Sequence, residues 1–412
     1  MTDGVSTLPQ AGNDSFAEWR AGQVNQLPVL TLLGNMPVTH PTAAASPVVI
    51  RFGRLGDTIL LQPLLHKLHL RYGQPCRLLA LGDWPAALYS AQAEVAGCIP
   101  LNSYYGPIWM RPQRWRAALA LRRLRGSPFY ISEPVERTRT KVRPMLALAG
   151  IPPAQCSFIE DIPLIEHEHW VDLLLRFGDT TPEVFRASCG ALASPVVAAP
   201  QLQASAAERA DRDAWLRAQG LSGRPLVLLQ PANKRTMRWN GVRAAEDDDK
   251  SWPAEHWAVL ARTISQRLPQ AQVLFCGSPA EAGYLDFLMS VVDAASPRIE
   301  AAILPLGRLK ALLEIAHSMV SVDTGPGHLA AAMGCPLVVL MGSRDPQLWT
   351  PRSGSGSDVI VLGGLPATRR VEEIDTAQVV NAWRTLHWRT AVTAVAESSA
   401  AANGVYSAGC AG

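Results

Sequence analysis

Two glycine-rich turns carry the ionisable side chains of this sequence that could do chemistry. The first turn is RFGRLGDTILLQP, residues 51–63, directly after an apolar run. Gly53 and Gly56 allow a tight turn that delivers Asp57 to the carboxyl end of a strand, where open α/β sheets bind ligands. A helix cap is the alternative role for Asp57. The glycines lack the first position of GxGxxG, and no GxxxxGK[ST] occurs, so a dinucleotide-dependent oxidoreductase is weakly supported.

The second turn is SVDTGPGHLAAAMG, residues 321–334. A buried strand is predicted to end at Asp323, Thr324 and Gly325 to form the turn, and His328 to open a helix rich in alanine. Free amides at a helix start, next to a glycine turn, suit a phosphate group. A plain helix cap with a first-turn histidine is the alternative.

A cation and an acidic run lie together between these turns. Lys250 comes just before Pro253, a residue typical of the first turn of a helix, and would point its charge to the region of that helix start. A solvated surface lysine is the alternative. The run at 246–249 contains one Glu and three Asp, which suits a metal-binding DxD element. Because no other carboxylate cluster joins it, we expect a flexible acidic loop and no metal site.

The elements that must position these residues follow a βαβ rhythm. Short apolar runs bounded by turns alternate with helical patterns, which predicts parallel sheets with helices on both faces. The stretch around 190–205 is rich in Pro and small residues, so we place a domain boundary near 203. This predicts an α/β protein with two Rossmann-like halves, 47–203 and 204–365, facing a central cleft. A C-terminal helix is predicted within 366–390, and residues 1–46 and 391–412 are predicted to be disordered.

Composition limits the compartment and the partners. The chain has 412 residues and a net charge of +3, too close to neutral for a protein that coats nucleic acid. Its seven cysteines are dispersed, which is typical of reduced thiols in the cytoplasm. The N-terminus lacks the basic start and apolar stretch of a signal peptide, and no window has the roughly 20 apolar residues of a spanning helix. We expect a cytoplasmic protein whose membrane contact is peripheral.

The motifs, taken in order, resemble glycosyltransferase family 9, the bacterial lipopolysaccharide heptosyltransferases. GRLGD follows the first strand, KSWP opens a helix of the second half, GSPAE occupies 277–281, and DTGPGHLAAAMG comes near the end. The resemblance covers about 47–365. It implies a GT-B fold with a final helix that crosses back to the first domain. One departure concerns the segment before Lys250, which is longer than usual and has Ala245 and Glu246 where some members place two threonines.

The resemblance also implies roles for individual residues. Asp57 matches the proposed catalytic base of the family, in a first loop that includes Arg54 and Gly56. Lys250 matches a lysine that meets the donor phosphates, and Glu281 matches an acidic residue near the donor nucleoside. The donor-binding turn is matched by Asp323, Thr324, Gly325 and His328.

The implied activity is inverting transfer of a sugar, heptose by the resemblance, from ADP-heptose to a lipopolysaccharide core or related acceptor. The ADP-sugar is a co-substrate, and neither a metal nor another cofactor is expected. A scaffold that binds nucleotide sugar without turnover remains the alternative.

A basic segment at 111–143 points to the acceptor side. It has ten Arg or Lys against two Glu, and Trp109 and Trp115 add apolar surface. We expect it to dock on an anionic inner-membrane surface or a phosphorylated glycolipid acceptor, since each basic residue near such a surface is worth about 1 kcal/mol. A solvated helix face is the alternative, and no nucleic-acid motif accompanies it. The predicted patch consists of Arg114, Arg122, Arg123 and Arg125, with Arg111 at the same helical spacing.

Overall fold

The computed structural model describes residues 45–387, apart from 104–111, 188, 190–191, 193–194, 239–240, 244–246 and 293–297. The expectations for almost all of 1–46, for 391–412, and for Trp109, Arg111, Ala245 and Glu246 therefore lie outside the described residues.

The first domain is built on a parallel five-stranded sheet in the order β3-β2-β1-β4-β5. Its strands are β1 Val48–Arg51, β2 Cys76–Leu81, β3 Val95–Leu101, β4 Phe129–Ile131 and β5 Cys156–Phe158. Its helices are α1 Leu55–Ile59, α2 Gln62–Tyr72, α3 Trp84–Leu88, α4 Pro112–Arg122, α5 Val135–Arg137, α6 Arg143–Ala149 and α7 Trp170–Phe177. The central strand β1 is buried on both faces, as a continuous apolar run in a parallel sheet should be.

The second domain is built on a parallel six-stranded sheet in the order β10-β9-β6-β11-β12-β13. Its strands are β6 Leu226–Gln230, β9 Gln272–Gly277, β10 Ile299–Ile303, β11 Ser318–Val322, β12 Leu337–Met341 and β13 Val359–Gly363; a small antiparallel hairpin joins β7 Met237–Arg238 to β8 Gly241–Val242. Its helices are α8 Ala206–Ala218, α9 Ala254–Arg267, α10 Ala282–Val291, α11 Leu306–Ile315, α12 Gly325–Ala332, α13 Pro346–Trp349 and α14 Thr376–Thr385.

Both sheets change strand order beside the predicted chemistry. In the first sheet the chain leaves β1 in one direction to β2 and returns to its other side as β4; in the second, β6 has the same position between β9 and β11. Ligands of such sheets bind beyond the carboxyl ends of the strands at this switch point. The turn with Asp57 follows β1, and the turn with Asp323 follows β11.

The two domains share one hydrophobic core. Leu64 and Leu65 of α2 belong to the same buried cluster as Leu309 and Leu312 of α11 and Leu329 of α12, whereas a further cluster in each domain fills the other side of its sheet. The helices between the sheets are therefore packed against one another across the domain boundary.

A buried lysine adds a polar contact between the domains. Lys310 of α11 is fully buried, and its Nζ donates to the carbonyl oxygens of Ala87 (2.9 Å) and Leu88 (3.1 Å) at the end of α3. It also lies 2.9 Å from Glu208 Oε1 of α8. A cation at the carboxyl end of a helix satisfies its last carbonyls, so Lys310 links the two domains.

The final helix does not cross back, which corrects one expectation. The helix lies within the predicted 366–390, but α14, Thr376–Thr385, packs on α9, β12 and β13 of the second domain. Its Val379 and Trp383 are fully buried in the core there, and Trp383 Nε1 donates to Ser318 Oγ at 3.0 Å. Burial of this apolar face against its own domain is the physical reason for the placement.

The chain returns to the first domain in the segment that begins at Trp349, the last residue of α13. The rings of Trp349 and Trp170 stack with their centroids 6.0 Å apart, and His169 Nε2 lies 2.9 Å from the carbonyl oxygen of Thr350. Arg352 binds the Asp172 carboxylate through two bonds of 2.8 and 2.9 Å. Across the described ranges, no helix is long and apolar enough to cross a membrane.

Candidate active site

A cavity of about 990 Å³ lies between the two domains at the carboxyl ends of both sheets. Every residue that the sequence placed in the cleft lines it: Arg54, Gly56, Asp57, Lys250, Glu281, Asp323, Thr324, Gly325 and His328. The structure thus brings together residues that are up to 274 positions apart in the chain.

Asp57 is held as a carboxylate at the wall of this cavity. It is the third residue of α1, where its Oδ2 accepts from the backbone N–H of Arg54 at 3.0 Å and its Oδ1 accepts from Arg51 Nη2 at 2.9 Å. Burial raises the pKa of Asp57, but the Arg51 charge and these hydrogen bonds outweigh it and leave the pKa below its ordinary value. The capping role is real, and the side chain, 16% exposed, still reaches the cavity.

Arg51 holds the Asp57 carboxylate in place through its hydrogen bond, and it was not among the residues predicted for the site. It is the last residue of β1, only 2% exposed, and its Nη1 donates to the carbonyl oxygen of Ser132 at 2.6 Å. Its guanidinium carbon lies 5.0 Å from the ring centroid of Trp170, a cation–π distance. An arginine at the end of an apolar strand could have indicated this role in the sequence. A charge buried at that place requires a partner of opposite charge nearby.

The Asp323 turn joins the first domain through close contacts at two glycines. A Cβ on Gly325 would lie 2.7 Å from Leu55 Cβ, and a Cβ on Gly56 would lie 3.0 Å from His328 Cδ2. The φ angle of Gly325 is not positive, so the backbone conformation does not require glycine at this position. The close approach of Leu55 does. Helices α1 and α12 therefore pack directly on each other at the floor of the cavity.

His328 lies beside Asp57 and Asp323, two of the three carboxylates that line the cavity. It is 6% exposed, and its Nδ1 is buried without a hydrogen-bond partner among the described residues. Burial lowers the pKa of His328 more than the negative charges of Asp323 and Asp57 raise it, so the imidazole is neutral at pH 7.

Lys250 is a half-buried partner of Asp323, and the alternative of a solvated surface lysine is wrong. Its Nζ donates to the Asp323 carbonyl oxygen at 3.0 Å and also to Asp323 Oδ2. The side chains of Lys250 and Asp323 are 17% and 9% exposed. Burial raises the pKa of Asp323, but the charge of Lys250 and its hydrogen bond outweigh burial, so the pKa of Asp323 lies below its ordinary value and the side chain is a carboxylate.

Glu281 lies at the carboxyl end of β9, in a single turn that follows the strand. Its Oε2 accepts from the backbone N–H of Ser278 at 2.7 Å and from Ser278 Oγ at 3.0 Å. The carboxylate is therefore fixed at the cavity wall two strands away from the Asp323 turn.

Comparison with known proteins agrees with this architecture. Residues 197–380 match glycosyltransferase family 9 (heptosyltransferase). Lipopolysaccharide heptosyltransferase 2 of Salmonella typhimurium strain LT2 is 26% identical over 354 residues, which cover 79% of this chain and 89% of the relative. The chain is a glycosyltransferase, whose second domain carries the family 9 match and whose similarity to the named heptosyltransferase extends over both domains.

Solved structures agree with the fold of this glycosyltransferase. The structure of E. coli ADP-heptose LPS heptosyltransferase II superposes with a TM-score of 0.63 at 20% identity, over 82% of this chain and 97% of the other. E. coli heptosyltransferase WaaC with ADP superposes with a TM-score of 0.52 at 18% identity, over 82% and 99%. The predicted GT-B fold, with two Rossmann-like domains facing a cleft, is confirmed.

The acidic run of this glycosyltransferase is ordered where the structure describes it. Asp248 is 2% exposed and accepts from Asn233 Nδ2 at 2.7 Å, and its Oδ1 lies 3.0 Å from Arg235 Nη2. Asp249 pairs with the same arginine and accepts from Ser343 Oγ. The expectation of a flexible loop is wrong for these two residues, because each carboxylate has a cationic partner. The described residues contain no group of three or more potential metal ligands.

The basic patch differs from the prediction at one residue. Arg114 is 3% exposed and points into the first domain, so it cannot contribute to a surface; burial lowers its pKa. Arg122 and Arg123 are exposed, and Arg125 is half-buried, with its Nε donating to the carbonyl oxygen of Arg122. The helical spacing of arginines was correct, but it could not show which face of α4 packs against the sheet.

The outer face of α4 nevertheless combines charge with apolar surface. Trp115 is 47% exposed and Leu119 53% exposed, next to the exposed Arg116, Arg122 and Arg123. We call these five residues the α4 face. None of them lines the cavity between the domains.

Proposed function

We propose that this glycosyltransferase transfers heptose from ADP-heptose to a lipopolysaccharide core or related acceptor, with inversion at the anomeric carbon. The observation that carries the proposal is the opposition of an ionised carboxylate, Asp57, to a cation-bearing phosphate turn, Lys250 with 323–325, across one cavity. The names of the relatives, ADP-heptose and lipopolysaccharide heptosyltransferases, support the donor and the acceptor.

Asp57 acts as the general base. One of its oxygens receives the proton of an acceptor hydroxyl as that hydroxyl oxygen attacks the anomeric carbon. The bond between this carbon and the phosphate oxygen breaks, and its electron pair leaves with ADP, so a single displacement inverts the configuration. Both oxygens of Asp57 already accept one hydrogen bond, but a carboxylate has about four lone-pair sites and can accept another. Base assistance of this kind is worth about 10²–10⁴ in rate.

The Asp323 turn stabilises the leaving diphosphate. The first amides of α12 are free to donate at the start of a helix, and Lys250 turns from Asp323 to the phosphate oxygens when the donor binds. Charge that develops on the diphosphate is then met by fixed dipoles and an ammonium group, which is electrostatic stabilisation. The chemistry assigned to these residues requires no metal ion or other cofactor. Glu281, at the end of β9, is assigned to the donor nucleoside.

The α4 face is assigned to an anionic membrane surface. Tryptophan and leucine insert at the boundary between headgroups and acyl chains, and arginines bind lipid phosphates. With this contact the protein works at the inner face of the inner membrane, where a glycolipid acceptor is presented to the cavity.

The test is transfer by the purified chain. We expect ADP release from ADP-heptose to require acceptor, the product to have inverted configuration by NMR, and lipopolysaccharide from cells without the protein to lose the corresponding mass. Asp57→Asn should lower kcat at least a hundredfold with donor affinity nearly unchanged, because a base acts in the chemical step.

A matched control is Asp211→Asn. Asp211 also accepts from an arginine side chain, through two bonds from Arg308, but on the surface. The control should keep normal turnover. If Asp57→Asn turns over as fast as Asp211→Asn, Asp57 is only a helix cap.

A further inference from the structure

Two tryptophans from different domains stack on each other next to Arg51, the partner of Asp57. Trp170 begins α7 in the first domain and is 2% exposed. Trp349 ends α13 in the second domain, is half-buried and lines the cavity. Their ring centroids are 6.0 Å apart and their planes differ by 24°, so each ring limits the positions open to the other.

The Trp170 ring also restrains the guanidinium that holds the base. Arg51 is buried, and its guanidinium carbon lies 5.0 Å from the ring centroid of Trp170. Its Nη1 donates to the carbonyl oxygen of Ser132 at 2.6 Å, and its Nη2 donates to Asp57 Oδ1 at 2.9 Å. Its Nε has no hydrogen-bond partner among the described residues. The orientation of the guanidinium plane therefore depends on two hydrogen bonds and on the aromatic face beside it.

A hydrogen bond across the domain boundary holds the stacked rings together. His169 Nδ1 accepts from the backbone N–H of Val171 at 3.2 Å, and burial lowers the pKa of His169 to about 4, so the imidazole is neutral at pH 7. Nε2 then carries the proton and donates to the Thr350 carbonyl oxygen at 2.9 Å. His169 and Thr350 are direct chain neighbours of the two tryptophans, so this bond fixes the second domain against the first at the rings.

Arg51 in turn sets the position and the charge of the proposed base. Burial raises the pKa of Asp57, and the positive charge of Arg51 is the strongest of the influences that lower it. The Arg51 bond to Oδ1 and the bond from the Arg54 backbone to Oδ2 fix both carboxylate oxygens. The backbone bond belongs to the start of α1, whereas the Arg51 bond depends on a side chain that other residues must hold. A change in the stacked tryptophans is therefore transmitted to Asp57 through Arg51.

We propose that the two tryptophans are positioning residues for transfer: they hold Arg51, and through it the Asp57 carboxylate, in the orientation that the docked domains set. Their role in transfer rests on the proposed function, in which Asp57 is the base. A base acts only within hydrogen-bond reach of the proton that it removes, so a loosened guanidinium slows the chemical step and leaves donor binding intact. The second domain, which provides Trp349, thus acts on the base as well as on the donor.

The experiment measures transfer from ADP-heptose by Trp349→Leu and Trp349→Phe in the full chain. These changes leave the buried Trp170 in the core, so we expect both variants to fold. Trp349→Leu should lower kcat about tenfold or more, since a misplacement of 1 Å costs about 10² in rate and Arg51 keeps its two hydrogen bonds. ADP affinity and both KM values should stay unchanged. Trp349→Phe keeps an aromatic face against Trp170 and should recover most of the rate.

The matched control is Trp215→Leu. The guanidinium carbon of Arg308 lies 5.7 Å from the ring centroid of Trp215, and Arg308 binds Asp211 through two bonds. The three residues thus repeat the order of carboxylate, guanidinium and indole that is found at Asp57, but none of them lines the cavity. Trp215→Leu should therefore keep the kcat of the parent.

A double-mutant cycle tests whether Trp349 acts through Arg51. Arg51→Lys keeps the positive charge but loses the planar guanidinium that packs against Trp170. In this background Trp349→Leu should lower kcat much less than it does in the parent. An equal loss in both backgrounds would overturn the proposal, and so would a higher donor or acceptor KM with an unchanged kcat, since Trp349 would then contact the substrate directly.

Rotation of the Arg51 guanidinium about its Cζ–Nε bond, measured by nitrogen-15 NMR, reports on the same coupling without any transfer. The signal is identified by its absence from Arg51→Lys, and we expect faster rotation in Trp349→Leu than in the parent or in Trp215→Leu. Unchanged rotation in Trp349→Leu would refute the positioning role. Absence of transfer by the parent would refute the proposed function instead, and the rotation rates would still decide whether the tryptophans hold Arg51.

Discussion

Gly325→Ala tests whether the close contact between α1 and α12 sets the geometry of the cleft. The new Cβ would lie 2.7 Å from Leu55 Cβ and 2.9 Å from its Cγ and Cδ2. Ordinary carbon contacts are about 3.5–4.0 Å, so the two helices must separate by about 1 Å. A rotamer change of Leu55 cannot relieve the contact, because a Cβ moves only with its backbone.

The magnitude follows from this displacement. Overpacking of a tight contact costs typically about 1–3 kcal/mol, which a chain with an intact core tolerates. A misplacement of 1 Å between reacting groups, by contrast, costs about 10² in rate. We therefore expect Gly325→Ala to fold with a slightly lower Tm and to lose about a hundredfold in kcat/KM, since Asp57 moves with α1 and the phosphate turn with α12.

The assay compares transfer rate, Tm and ADP affinity in a set of variants. Leu55→Gly removes the colliding Cβ and should restore much of the rate when combined with Gly325→Ala, whereas Leu55→Ala should restore little. Gly126→Ala is the matched control, because a Cβ there meets nothing within 4 Å. Normal turnover by Gly325→Ala, or no recovery in the combination with Leu55→Gly, would refute the reasoning.

Three further perturbations follow from the structure. Lys250→Ala should weaken ADP binding as well as turnover, because the cation meets phosphate and also holds Asp323; unchanged affinity by calorimetry would remove Lys250 from the donor site. Burial lowers the pKa of His317 to about 4, below the ordinary 6.5, so the unfolded chain binds the extra proton first. Stability should therefore fall as pH drops from about 6.5 to 4, and the Tm of His317→Gln should depend less steeply on pH over that range; equal slopes would contradict this. Changing Arg116, Arg122 and Arg123 of the α4 face together to Gln should lower binding to anionic vesicles severalfold, as measured by sedimentation at low and high salt. If the variant binds with the same salt dependence as the parent, the α4 face is only a solvated surface.

The sequence predicted the two sheets and the cleft residues because both depend on local signals. Apolar runs such as those of β1 and β12 are continuous in parallel sheets, and the glycine turns directly follow them, so Asp57 and Asp323 could be placed at strand ends. The resemblance of the motifs to a known family then indicated that turns far apart in the chain lie at one site. The periodicity of apolar residues alone does not show that these turns come together.

What the sequence could not predict depends on packing between distant segments. The ion pair of Lys250 with Asp323 joins residues 73 positions apart, and the local sequence of β1 does not show which carboxylate Arg51 will bind. The prediction that Arg114 belongs to an exposed patch was wrong, because arginine, alanine and leucine occur on more than one face of α4. Packing against the sheet decides which of these faces is buried. The crossing of the final helix was expected from the family resemblance alone, whereas burial of Val379 and Trp383 in the second domain sets where the helix packs.

The core that continues from α2 through α11 and α12 makes the two halves a single cooperative unit. Neither half can present that face to water without exposing a large apolar surface, so separate expression of residues 204–387 should give an aggregation-prone fragment and heating of the whole chain should give one transition. Exchange of one half for that of a relative is limited in the same way, because residues on both sides of the boundary must change together. Modularity in this enzyme is therefore a property of the loops that line the cavity, because the two halves depend on one shared core.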